Sequence, residues 1–249
     1  MKNHQYQNIK ILEVNGTDTK KFLQGLTTAN LNKLSSENDT LFTAFANLKG
    51  RIISLCFVRY IDENTLLLSV DESVIESFIS WLQKYGMFSK VSFSTNNEYS
   101  LFYTDDGFLN HSILIINSLQ TNISFAEVQK QNISNKLAFI NDENFEKFLS
   151  AELELDSLED VVCYTKGCYM GQEIIARMHY KAKLKKELVV VKSDCDITQT
   201  DLKDENIKPL ANVVNKVFIN NVCYMLVVFH KEATQEQYKL NSGEIISKC

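Results

Sequence analysis

At 249 residues the chain is long enough for one large compact unit or two smaller ones, and its 45% hydrophobic and 23% charged residues are ordinary for a globular protein. A net charge of −5 and a pI near 5.5 argue against a broad nucleic-acid footprint and leave room only for a local basic groove. No apolar run approaches the roughly 20 residues of a membrane span, and Met1-Lys2-Asn3-His4-Gln5 opens without an apolar signal core, so a cytoplasmic monomer without membrane attachment is expected.

In chain order, Ile9–Val14 reads as a strand that turns at Asn15-Gly16. A helix starts near Thr17 or Asp18, either of which can cap it, with Phe22, Leu23 and Leu26 as its apolar stripe. Strands at Thr40–Ala46 and Arg51–Tyr60 flank the turn Asn47-Leu48-Lys49-Gly50, and Thr65–Val70 is a further strand. Val74, Ile75, Phe78, Ile79 and Leu82 recur at helical spacing between Asp71 and Tyr85, and Gly86 is a natural stop. Val91 to Ile140 is read as strand-rich, and a helix is predicted from Asn144 to about Leu153. Beyond about residue 183 the pattern changes to strands alone: Glu187–Lys192, Val213–Ile219, Val222–Phe229 and Glu244–Ser247, with Asn220-Asn221 as a hairpin turn. The expected organisation is a mixed α/β region over residues 1–182, followed by a β-module over 183–249.

The six cysteines (Cys56, Cys163, Cys168, Cys195, Cys223, Cys249) contain no Cys-x-x-Cys pair, so neither a four-cysteine zinc site nor a thioredoxin-type redox pair is expected, and no metal site is predicted. In a cytoplasmic chain all six are reduced. Cys56 and Cys223 lie in apolar runs and read as packing residues. Cys168 differs. Gly167 and Gly171 flank it, and Gln172 to Arg177 is good helix sequence, with Glu173 and Arg177 spaced to pair across one turn. A cysteine on a tight loop before a helix N-terminus, with Lys166 two residues away, is placed for a raised thiolate fraction. The residues alone leave this open against a structural turn with a packed thiol.

The segment Lys166-Gly167-Cys168-Tyr169-Met170-Gly171-Gln172-Glu173 resembles the signature Lys-Gly-Cys-Tyr-x-Gly-Gln-Glu of the YgfZ-type folate-binding proteins. That family is related to the aminomethyltransferase (T-protein) of the glycine cleavage system and includes mitochondrial iron–sulfur assembly factors. Two upstream clusters resemble it in the same order. They are Gly16-Thr17-Asp18 with Phe22-Leu23-Gln24-Gly25-Leu26-Thr27-Thr28-Ala29-Asn30, and Asn47-Leu48-Lys49-Gly50-Arg51. Asn30 stands where an aspartate is usual, and Leu48 where a proline is.

The resemblance implies an α+β, three-lobed, T-protein-like fold with a small C-terminal β-barrel and a tetrahydrofolate channel at its centre. It implies catalytic roles for Cys168, Lys166 and Glu173, supported by Gly167, Tyr169, Gly171, Gln172 and Arg177. Lys49, Arg51 and Phe145 become candidates for holding folate, with Phe148 as an alternative aromatic and core packing as the other reading for both rings. The function implied is a folate-binding accessory role for iron–sulfur enzymes, tRNA-modifying ones among them, as protein clients. Alternatives are a one-carbon (aminomethyl) transferase and a partner-docking module without catalysis.

Two departures bear on these. Ser54 and Leu55 stand where T-proteins carry an acidic pair, so the carboxylate of aminomethyl transfer is missing. The segment from Phe145 to Tyr164 contains neither glycine nor proline where the family has a longer loop. His179 and Tyr180 are read as rim residues or helpers of Cys168. Arg177, Lys181, Lys183, Lys185 and Lys186 are read as a local basic stretch, for an anionic partner or as a solvated edge.

Overall fold

The computed structural model describes residues 2–37, 39–116, 118–181, 184–230, 233 and 235–249, and its strands form three antiparallel sheets. The first contains β2 (Ile9–Asn15), β3 (Thr40–Ala46), β4 (Ile52–Asp62), β5 (Thr65–Asp71) and β6 (Ser92–Asn96), in the order β3-β4-β5-β2-β6. The near-continuous apolar run Ile52-Ile53-Ser54-Leu55-Cys56-Phe57-Val58 has a physical cause: both faces of this sheet are covered. On one face Ile53 and Val58 meet α1 (Thr19–Gln24) and α2 (Ile75–Gly86) through Leu23, Phe78 and Leu82. On the other, Ile52 and Phe57 enter a central core shared by all three sheets.

The second sheet, β1 (Asn3–Gln5), β7 (Tyr99–Phe108) and β8 (His111–Ile115), adds Leu101, Tyr103 and Ile113 to that core. The third contains β9 (Lys186–Ser193), β10 (Asp201–Lys203), β11 (Pro209–Ile219), β12 (Val222–His230), β13 (Gln237–Lys239) and β14 (Ile245–Lys248), in the order β10-β11-β12-β9-β14-β13. Its two edges meet at the bridge Asp204–Leu240, where the Asn241 amide also donates to the Lys203 carbonyl at 3.1 Å, curling the sheet into a small barrel. Leu188, Val214, Leu226 and Val228 turn one side of it to the central core, and Val191, Met225, Val227 and Phe229 fill its own. No helix of the described residues is long and apolar enough to cross a membrane. The boundary expected at 182/183 falls on residues outside those described.

The strands follow the expected alternation closely, and Asn220 and Asn221 both take positive φ (52° and 60°) in the hairpin. The helices depart from expectation in three places. Residues 144–153 form turns, not a helix: the Glu146 amide donates to the Ile52 carbonyl, the Ile52 amide to that of Phe148, and Leu149 bridges Arg51. The segment is therefore spent on the edge of β4. Conversely, α3 (Phe125–Ser134) lies inside the stretch read as strand-rich, opened by a complete Ser124/Glu127 capping box. Finally, Asp18 does not cap α1; its carboxylate accepts from the Lys90 amide at 2.8 Å.

Between the second sheet and α3 lies a buried polar chain. Asn132 Nδ2 donates to Tyr6 Oη at 2.8 Å, and Tyr6 Oη lies 2.8 Å from His111 Nε2. His111 Nδ1 is 2.7 Å from the Leu109 carbonyl, which can only accept, so the ring proton sits on Nδ1 and Nε2 accepts from Tyr6. Burial pulls the His111 pKa down to about 4 against the pull of the Leu109 carbonyl.

Candidate functional site

The three glycine-containing clusters, whose outermost glycines Gly16 and Gly171 are 155 residues apart in sequence, meet at one place. Gly171 (φ +76°) packs so closely on the glycine turn that a Cβ there would lie 2.7 Å from the Asn47 carbonyl oxygen and 3.4 Å from Gly50 Cα. The Asn47 side chain braces that turn by accepting from the amides of Lys49 and Arg51 at 2.9 and 3.0 Å. The Met170 amide donates to the Gly25 carbonyl at 3.0 Å, joining the loop to the end of α1. Gln24 and Asn30 fix the turn beyond: Gln24 Nε2 donates to Asn30 Oδ1 and its Oε1 accepts from the Leu31 amide. Thr28 ties in residue 161, its hydroxyl donating to the Val161 carbonyl at 2.7 Å and its carbonyl accepting from the Cys163 amide at 2.9 Å.

Lys166 is the pin of the assembly. Its ammonium donates to the carbonyls of Thr27 and Ala29 at 2.6 and 2.7 Å and to the Thr27 hydroxyl at 3.2 Å. Burial lowers the amine to about 7, with the neighbouring Cys163 acting the other way. Three acceptors facing its three donors favour the charged form. Tyr169 lies beneath the ammonium, 5.0 Å from ring centroid to nitrogen, and is buried. Gly167 and Cys168, by contrast, are exposed, and a Cβ at Gly167 would meet nothing within 4 Å. The loop is fastened at both ends with the Cys168 thiol out in solvent, four residues before α4 (Gln172–Lys181).

No protein-family model matches the chain. An uncharacterized protein of Haemophilus influenzae is 26% identical, covering 97% of this chain and 93% of its own. The tRNA-modifying protein YgfZ of Photorhabdus laumondii is 24% identical, over 71% of this chain and 66% of its own length. An iron–sulfur cluster assembly factor IBA57 homolog of Dictyostelium discoideum is 23% identical, over 79% and 64%. The chain is a relative of the YgfZ-type proteins. Among solved structures, glycine cleavage system aminomethyltransferase T from Bartonella henselae superposes with a TM-score of 0.70 over 99% of this chain and 84% of that one. At 11% identity this likeness speaks to the fold alone, which is the T-protein-like fold.

Placed in that fold, the residues singled out in the YgfZ-type signature separate by environment. Gly171, Tyr169 and Gln172 hold the loop, with Gln172 Oε1 accepting from the Tyr169 amide at 3.3 Å. Glu173 and Arg177 are both exposed, and among the described residues no ion pair joins them; two solvated side chains lose more rotamer freedom than a screened pair returns. The Lys166 ammonium, expected to serve Cys168, turns instead to Thr27 and Ala29 and acts on Cys163.

Arg51 is committed to the Lys147 carbonyl (2.5 Å) and to Glu152 (3.5 Å), and Phe145 packs between the two cores of the first sheet. Lys49 is exposed on the turn. His179 stacks on Tyr164 at 4.2 Å, and its Nδ1 lies 2.8 Å from Asp156. Lys186 pairs with Glu152 at 3.2 Å, and Lys183 of the basic stretch lies outside the described residues. Two participants were not singled out from sequence: Glu152, a buried carboxylate between Arg51 and Lys186, and Cys163, whose amide donates to the Thr28 carbonyl and whose sulfur lies 3.6 Å from the Thr165 hydroxyl. Neither sits in a periodic or glycine-marked pattern, so no local signal announced them.

The fit of a folate can be judged at the junction of the three sheets. A cavity of about 60 Å³ lies there, lined by Tyr6, Asp71, Phe125, Asn132, Phe139 and Asn215 among others. Its amides and carboxylate suit the polar edge of a pterin. Its volume does not, since small-molecule sites run to roughly 300–1,000 Å³. In this conformation the cavity does not accommodate a folate.

Proposed function

We propose that this protein supports the assembly or repair of iron–sulfur enzymes in the cytoplasm, tRNA-modifying ones among them, with Cys168 as its working thiol. The observation that carries the reading is the convergence of three distant clusters on one loop that leaves its cysteine in solvent. The names of its relatives, a tRNA-modifying protein and an iron–sulfur cluster assembly factor, supply the class of client. A thiol on a rigid, exposed loop can meet a soft metal or sulfur species carried by a partner protein, which a buried one cannot. Glu173 at the first turn of α4 and Lys166 at the base of the loop act as positioning groups in this scheme.

Aminomethyl transfer finds no support at Ser54 and Leu55: both are buried in β4, and the Ser54 hydroxyl faces Cys56 at 3.1 Å. No step is assigned to tetrahydrofolate, for want of volume at the junction. Cys168→Ala in the native host tests the reading. Iron–sulfur enzyme activities and tRNA thiomodification should fall with the protein's abundance unchanged. Wild-type levels of both would sink it.

A further inference from the structure

Among the described residues, one sheet edge is left open. The β3 edge of the first sheet is taken by Thr27, which bridges Phe45, and by Thr28, whose amide donates to the Ala44 carbonyl. In the second sheet β1 meets Thr121 and Asn122, and the Ile113 carbonyl of β8 accepts from Arg59. The edges of the barrel meet each other. The opposite edge of the first sheet is β6, which has β2 on one side and no strand on the other. Folded proteins guard such an edge with a charge, a proline or a bulge. Ser92-Phe93-Ser94-Thr95-Asn96 carries no charge and no proline, and its register with β2 runs without a break.

The hydrogen-bond alternation shows which groups face outward. The pairing of β2 with β5 is bracketed by two bonds in register, the Gly16 amide to the Asn64 carbonyl at 2.9 Å and the Glu72 amide to the Asn8 carbonyl at 2.8 Å. Lys10, Leu12 and Val14 are therefore spent on β5, which leaves Ile11, Glu13 and Asn15 to bond β6. Their partners are Asn96, Ser94 and Ser92, so Phe93 and Thr95 turn amide and carbonyl away from the sheet. Met87 and Phe88, 74% and 97% exposed, add apolar surface at the entry to this strand.

We infer that β6 is a self-association edge, at which two copies of this chain pair antiparallel about Ser94 and join their first sheets into one. The strand complements itself. With Ser94 opposite Ser94, Phe93 of each copy faces Thr95 of the other, and each such pair exchanges amide and carbonyl. Any other hydrogen-bonding register sets at least one of them against a residue outside the strand. The same register brings Lys90, just before β6, opposite Glu98 of the second copy, just after it, and the reverse at the far end. Both side chains are exposed, and among the described residues neither has an ion-pair partner. A foreign strand would have to supply that charge pattern; a second copy carries it already. The inference does not rest on the role proposed for Cys168.

The test is sedimentation velocity of the full chain at low salt. An interface of this size falls in the weak class below roughly 1,200 Å², so the mean mass should climb from 28.6 kDa toward twice that value between about 10 µM and about 1 mM. Added salt should weaken the association. Thr95→Pro removes an outward N–H and no bond to β2, and should hold the chain at 28.6 kDa throughout. Glu98→Lys sets like charges together at both ends and should weaken the dimer about fivefold, and adding Lys90→Glu should restore it to within about twofold. Exchange of the Phe93 and Thr95 amides should slow as concentration rises, with the Ser94 amide unchanged. Should Thr95→Pro fail to fold, the charge exchange and the amide pattern decide. A mass fixed at one chain up to about 1 mM, a dimer that survives Thr95→Pro, or one unmoved by Glu98→Lys would overturn the inference.

Discussion

Replacing Gly171 by alanine tests whether docking of the loop on the glycine turn is what holds the site together. Gly171 has φ +76°, and an added Cβ would lie 2.7 Å from the Asn47 carbonyl oxygen, 3.1 Å from Ala46 Cβ and 3.4 Å from Gly50 Cα. The nearest obstacle is backbone in a turn closed by the Gly50 amide on the Asn47 carbonyl, so it cannot swing aside as a side chain would. The left-handed backbone costs an L-residue about 1–2 kcal/mol. The overlap adds about 1–3 kcal/mol, giving about 2–5 kcal/mol in all. Gly167→Ala is the internal control: its φ is +97° but nothing lies within 4 Å of its Cβ, so only the backbone part of about 1–2 kcal/mol applies. Urea unfolding followed by the fluorescence of Trp81, the single tryptophan, reads both variants, provided the slope m is unchanged. Gly171→Ala is expected to lose about 1–3 kcal/mol more than Gly167→Ala. Equal losses, or a Gly171→Ala protein within about 0.5 kcal/mol of wild type, would refute the docking argument.

Three other outcomes can be checked. Glu152→Gln strips the charge from a carboxylate set between Lys186 (3.2 Å) and Arg51 (3.5 Å). Both cations are partly solvated, so the loss should be about 1–3 kcal/mol in urea unfolding, and a change under about 0.5 kcal/mol would mean the triad is incidental. His111, depressed to about 4, stays neutral in the folded chain while the unfolded chain takes up a proton near its ordinary value of 6.5. Its contribution is therefore complete above about pH 6.5 and is lost as pH falls toward 4, by about 3 kcal/mol in total; an unfolding free energy of the His111→Gln variant with the same fall between pH 7 and pH 4.5 as wild type would contradict this. Tetrahydrofolate titrated calorimetrically should find no saturable site at the sheet junction; saturable binding that Asn132→Leu abolishes would show that the cavity opens.

Much of the first sheet was legible because burial on both faces writes itself as an apolar run, and the barrel strands because Asn220-Asn221 and the changed rhythm after residue 183 mark a hairpin. The helix expected at Asn144 failed for a reason the local sequence does not carry. Asn144 spends its side chain on the carbonyls of Phe139 and Val214, and its neighbours hydrogen-bond to Ile52, a strand almost a hundred residues earlier. Helix α3 was missed although its Ser124-Phe125-Ala126-Glu127 box is a local signal, because the surrounding β-branched and aromatic residues outweighed it. The signature loop was legible as a glycine-flanked cysteine, yet the direction of Lys166 was not. Its acceptors, Thr27 and Ala29, are partners only once the chain has folded back across more than 130 residues.

The amides that spoiled the predicted helix also bear on how the molecule can move. Asn215 in β11 exchanges two hydrogen bonds with the backbone of Phe139, at 2.8 and 2.9 Å, and Asn144 adds a third across the same seam at 2.8 Å to the Val214 carbonyl. Swinging the barrel away from the core breaks all three, at about 1 kcal/mol each net of water. A parted form would then make up less than about one molecule in a hundred at equilibrium. Since Asn215 and Phe139 also line the junction cavity, any ligand that needs it wider must bind the rare form tightly enough to offset that ratio. The pair of asparagines thus adds to the affinity threshold for whatever enters between the lobes, on top of the apolar face that Leu188, Val214, Leu226 and Val228 turn to the central core.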